Sequence, residues 1–159
     1  MKKIRVALIF KKNYNYFNPE HFDRTTRDFF LSALKNHPRL DMSYFPCENE
    51  FDTSKLKGKC DIILLANNST DATPEYLLGI KELDIPVVSR SGDPHHAQKY
   101  DQLSFHDKWN ISCYFGVIPK NYFYKFYPDD FCYKIIIFGL ESTLYEILNH
   151  LIKELKIKY

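Results

Sequence analysis

The sequence predicts an α/β domain, a Rossmann-like three-layer sandwich built on a mainly parallel six-stranded sheet. Strand-like and helix-like segments alternate along the whole chain. Two apolar runs, at 62–65 and 87–88, are unbroken, which suits strands covered on both faces. At 159 residues the chain has the length of one domain, enough to bury roughly 68–70% of the surface its unfolded form exposes. Residues 1–159 are therefore read as a single unit.

The first strand is Ile4 to Phe10, followed by a polar loop rich in Asn and Tyr. A helix is expected from Pro19 to Asn36, because Phe22, Thr26, Phe29, Phe30, Ala33 and Leu34 recur at helical spacing. Leu40 to Phe45 makes a short second strand, and Cys60 to Ala66 is the clearest buried strand in the chain. Thr73-Pro74 starts a helix weakened by Gly79 and ending near Leu83. Ile85 to Val88 is the fourth strand. Asp93-Pro94 then reads as an N-cap and a first-turn proline, which opens a helix with His95 and His96 in its first turn.

Ile111 to Val117 is the fifth strand, Pro119 to Tyr127 a short aromatic helix, and Tyr133 to Phe138 the sixth strand, ended by Gly139. The last helix carries Leu144, Ile147, Leu148, Leu151, Ile152 and Leu155 on one stripe, with Thr143 and Glu146 at capping-box spacing. Right-handed crossovers most simply give the strand order 3-2-1-4-5-6. There is no internal repeat and no low-complexity linker.

Composition narrows the function classes. With 22 basic and 20 acidic residues the charge is nearly balanced, so nothing electrostatic favours nucleic acid as a partner. The four cysteines, Cys47, Cys60, Cys113 and Cys132, form no C-x-x-C pair and are read as reduced thiols. The apolar run after Met1 is too short for a signal sequence or a membrane span, and a cytoplasmic protein is expected. Twelve tyrosines and thirteen phenylalanines are read as filling the core rather than forming a dedicated aromatic surface.

The turn after the first strand, Phe10 to Tyr14, holds no glycine. That argues against a dinucleotide fingerprint and against a phosphate-cradling P-loop, both of which need backbone close to phosphate. Lys11-Lys12 and Asn67-Asn68 stand where a phospho-acceptor receiver domain would have acidic residues, and no Gly-x-Ser-x-Gly elbow seats a hydrolase nucleophile. No cofactor is implied.

The candidate site lies where the strand tips converge. Lys11, Asn67, Arg90, Ser91 and Gly92 are expected to line a cationic, amide-rich crevice, together with the tip from Gly139 to Glu141. In the first turn of a helix the positive dipole end disfavours an imidazolium, so His95 or His96 is expected to act as a neutral general base oriented by Asp93. The alternative is that Asp93 merely caps the helix and both rings are solvated. Adjacent histidines on a helix point in different directions, so no metal is expected there, and His21, His37, His106 and His150 form no ligand pair.

Three stretches of the carboxyl half carry a family resemblance. Ser91-Gly92-Asp93-Pro94-His95-His96-Ala97 with Lys99-Tyr100 looks like a D-x-H turn after the fourth strand. Phe123 to Pro128 looks like an aromatic helix after the fifth, and Ile136 to Tyr145 is similar to a P-x-G-V-D-x-x-x-F/Y stretch, with Phe138 and Glu141 departing from that pattern. In this order they resemble the amino-terminal half of GT-B glycosyltransferases, especially the spore-maturation (CgeB-like) and glycosyl transferase group 1 proteins. The first eighty residues match only in general pattern.

The resemblance implies an acceptor-binding domain of a metal-independent transferase that uses a nucleotide sugar and a glycan or other hydroxyl acceptor. The donor site belongs to a carboxyl-terminal domain or partner chain, so the 159 residues alone are expected to be inactive. The rival expectation is a non-enzymatic Rossmann-like binding or assembly module.

Overall fold

The computed structural model describes residues 3–13, 28–99 and 101–135. In chain order these form β1 (Ile4–Lys11), α1 (Asp28–Asn36), β2 (Leu40–Cys47), β3 (Glu50–Asp52), β4 (Ile62–Leu65), β5 (Tyr76–Leu78), β6 (Val87–Arg90), α2 (Ser104–Lys108), β7 (Ile111–Gly116), α3 (Lys120–Phe123) and β8 (Tyr133–Ile135). Short 3₁₀ turns occupy Thr53–Leu56, Ile80–Glu82 and Pro94–His96. The expected final helix, the end of the sixth strand, the tip from Gly139 to Glu141 and the first part of the helix begun at Pro19 lie outside the described residues. Among the described residues no helix is long and apolar enough to cross a membrane.

The fold is α/β with a Rossmann-like six-stranded sheet in the order β2-β1-β4-β6-β7-β8, and every pairing is parallel. β1 is buried from Val6 to Phe10, and its side chains alternate between the two faces of the sheet. Ala7 and Ile9 join Ile63, Leu65, Val87, Trp109 and Tyr114 on one side. Val6, Leu8 and Phe10 join Leu31 of α1, Leu64 and Phe115 on the other. This two-faced burial explains the unbroken apolar runs: Ile63, Leu65 and Val87 are wholly enclosed.

Counted along the chain, the six predicted strands lie in the order 2-1-3-4-5-6, and the expected 3-2-1-4-5-6 is incorrect. Burial supplies the reason. The expected order would put Ile62–Leu65 at an edge, although three of its four residues are buried. β2 takes the edge instead, and its half-exposed alternation and Pro46 suit a strand with one open side.

The helix expected from Thr73 to Leu83 is also absent. Tyr76–Leu78 is a strand that pairs in parallel with Glu50–Asp52, and Ile80–Glu82 is a 3₁₀ turn. Pro74 and Gly79 bracket too few residues for a stable helix, and Gly79 adopts a left-handed φ of 73° that stops propagation. The resulting two-stranded sheet covers one face of the main sheet: Phe51, Leu56, Leu77 and Ile80 are buried in the same cluster as Ile63 and Val87.

The aromatic residues of the carboxyl half are mainly core. Phe123 stacks on Tyr127 at 4.3 Å and on Tyr133 at 4.0 Å, and Phe105 stacks on Trp109 at 4.3 Å. His106 stacks on Phe131 at 3.7 Å, and burial holds its pKa below the ordinary histidine value. It is a packing residue, as expected.

Candidate functional site at the carboxyl edge of the sheet

The observed strand order places the point where chain direction across the sheet reverses between β1 and β4, the position at which open parallel sheets form a crevice. It makes Lys11 and Asn67 neighbours. Ile9 pairs with Leu65, so two residues further on the tips of β1 and β4 are level. Leu65 pairs with Ser89 and Arg90 with Phe115, which brings Ser91 and Gly116 alongside. Under the expected order an intervening strand would have separated Lys11 from Asn67.

The tips are tied to one another by hydrogen bonds. The Lys11 N–H donates to the Ala72 carbonyl at 2.8 Å, joining the loops after β1 and β4. The Gly92 N–H donates to Asn68 Oδ1 at 3.0 Å, joining the loops after β4 and β6. The Ser91 N–H donates to the Phe115 carbonyl at 2.8 Å, joining that loop to β7. Gly116 leaves the space this requires, because a Cβ there would lie 2.9 Å from the Tyr133 hydroxyl and 3.5 Å from the Ser91 carbonyl.

Asn68 is the centre of this framework. It is 1% exposed, and its Nδ2 donates to the Tyr127 hydroxyl at 2.5 Å and lies 3.4 Å from Gln102 Oε1. The Tyr127 hydroxyl in turn donates to Gln102 Oε1 at 3.0 Å. Burial pushes the Tyr127 phenol up to about 12, against a smaller opposing effect of the Asn68 hydrogen bond. Gln102 and Tyr127 were not among the residues expected at the site. Gln102 sits in a polar stretch with no local signal, and Tyr127 reads in sequence as one aromatic among many.

The expected lining residues divide into two groups. Asn67 is engaged inside its own loop: its Oδ1 accepts from the Ser69 N–H at 3.1 Å and its Nδ2 donates to Asp71 at 2.9 Å. Asp71 also accepts from the Ser69 hydroxyl and the Ala72 N–H. Partial desolvation raises its pKa, but these hydrogen bonds together outweigh that effect and hold the carboxyl below its ordinary value. Ser91 is buried, with its hydroxyl donating to the Gly92 carbonyl at 3.1 Å. Lys11, Arg90 and Gly92 are half-buried, whereas Asp93 and His95 are exposed and His96 is half-buried.

The histidine segment differs from the expected helix. Pro94–His96 is one 3₁₀ turn, closed by the Ala97 N–H donating to the Pro94 carbonyl at 3.0 Å. Asp101 takes a left-handed φ of 50°, and α2 begins only at Ser104. Asp93 stands at the capping position without a side-chain capping bond. The rings of His95 and His96 do not diverge: their centroids are 4.1 Å apart with planes tilted by 58°. Ligand atoms of Asp93, His95 and His96 all lie within 4.8 Å of one another.

A cavity of about 290 Å³ lined by Lys81, His106, Asp107, Asn110 and Ile111 lies by the amino end of β7, away from these tips. It brings together none of the expected site residues. Compared with protein-family models, with curated proteins and with solved structures, the chain matches none.

Proposed function

We propose that this chain is the acceptor-side domain of a GT-B-type glycosyltransferase, binding a hydroxyl-bearing acceptor at the carboxyl edge of its sheet. One observation carries the reading: the loops after β1, β4 and β6 are hydrogen-bonded to one another through Lys11, Ala72, Asn68 and Gly92 at the reversal point. This frame holds the loop from Arg90 to His96 in place without using its exposed side chains. Arg90 and Lys11 supply cationic donors suited to hydroxyl and phosphate oxygens. His95 or His96 accepts the acceptor's proton, with the Asp93 carboxylate beside it to orient the ring. The nucleotide-sugar donor is bound mainly by a second domain.

Titration of the isotopically labelled chain with a panel of saccharides and with UDP- and GDP-sugars tests this. Saccharides are expected to shift the amide signals of Lys11, Lys12, Asn68, Gly92 and His96, with nucleotide sugars binding weakly. A nucleotide-sugar Kd below 1 µM, equivalent to about 8 kcal/mol, would place a complete donor site within these residues and defeat the proposal. Absence of any saccharide effect at the strand tips would favour a non-enzymatic binding or assembly module.

A further inference from the structure

We infer that Asp93, His95 and His96 form a binding site for a divalent transition-metal ion of the zinc type. Among the described residues they are a group of three metal-ligating side chains whose ligand atoms already lie within 4.8 Å of one another. Zinc bonds of about 2.0–2.1 Å at tetrahedral angles place ligand atoms about 3.4 Å apart. Closing the difference takes side-chain rotation on the order of 1 Å, and Asp93 and His95 are exposed enough to make it. Two imidazoles and one carboxylate are a donor set that suits zinc, cobalt or nickel, and leave a fourth position open to water or another oxygen ligand.

The backbone beneath the three residues is fixed. Pro94 is buried, Ala97 is wholly enclosed, and the preceding Gly92 N–H is bonded to buried Asn68 at 3.0 Å. The 3₁₀ turn lies between these anchors, and the two rings meet at 4.1 Å. The carboxylate is not drawn into a capping bond. The site thus pairs a held main chain with adjustable, solvent-reachable donors. An imidazole nitrogen that binds an ion cannot take a proton, so an occupied site would suppress the base action proposed above. The inference does not depend on that action, because the ion is read out on the chain alone.

The test is calorimetric titration of the reduced full chain with Zn²⁺, followed by Co²⁺ with optical and NMR detection. The unsubstituted chain is expected to take up one equivalent of Zn²⁺ that the His95→Ala/His96→Ala double variant lacks. Asp93→Asn and each single histidine variant should weaken that equivalent by about tenfold or more. Circular dichroism of the variants should match the parent, since Asp93 and His95 are exposed and His96 is only half-buried. Co²⁺ added to the unsubstituted chain should broaden the His95 and His96 ring signals first. Equal uptake by the double variant, no saturable binding, or Co²⁺ broadening centred elsewhere would overturn the inference. Saccharide shifts that persist in chelator would leave the acceptor reading standing even then.

Discussion

Asn68→Ala should destabilise the chain by about 2–4 kcal/mol, more than any substitution of the surface residues around it. The side chain accepts from the Gly92 N–H at 3.0 Å and donates to the Tyr127 hydroxyl at 2.5 Å while 1% exposed. Truncation leaves the Gly92 N–H without its acceptor, at a cost of about 1–3 kcal/mol, and removes a further hydrogen bond of about 1 kcal/mol. Tyr127→Phe should cost less, about 1–2 kcal/mol, because Asn68 Nδ2 still has Gln102 Oε1 at 3.4 Å. Urea denaturation reads both. With a slope of about 2 kcal/mol/M, Asn68→Ala should lower the midpoint by about 1–2 M. The double variant should be less destabilised than the sum of the singles by at least about 0.5 kcal/mol, since the two groups share one network. A loss below about 0.5 kcal/mol for Asn68→Ala, or strict additivity, would refute the assignment of Asn68 as the joint between the loops after β4 and β6.

Gly116→Ala should cost about 1–3 kcal/mol by overpacking, because the added methyl would lie 2.9 Å from the hydroxyl of Tyr133, which is stacked on Phe123 and cannot withdraw. Thermal unfolding measures this, and a Gly116→Ala/Tyr133→Phe pair that recovers none of the loss would place the clash elsewhere. Alkaline titration followed by phenolate absorbance should find Tyr127 and Tyr114 still unionised above the ordinary 10.0, because burial raises both, and Tyr127 to about 12. A raised phenol pKa means the folded state holds a proton that the unfolded chain releases. The contribution to stability is therefore complete below pH 10 and is lost as pH rises through about 12. A single titration wave near the ordinary value with the fold intact would contradict their burial.

The sequence alone determined the local character of most of the sheet. Ile62–Leu65 and Val87–Val88 read as buried strands because unbroken apolar runs suit a strand covered on both faces. The Asp93-Pro94-His95-His96 segment likewise stood out by residue type. Whether Thr73 to Leu83 coiled or extended was a tertiary decision, since Tyr76–Leu78 gains its hydrogen bonds only by meeting Glu50–Asp52, 26 residues away. Asn68, Gln102 and Tyr127 likewise meet only in the folded chain, over separations of 25 to 59 positions. The same holds for the strand order, which made Lys11 and Asn67 neighbours, and for the winding of Pro94–His96 as a 3₁₀ turn with two histidines and an aspartate close together. Periodicity reports which face of an element is apolar. Which element meets that face, and how tightly a short segment winds, depends on contacts between residues that no local window contains.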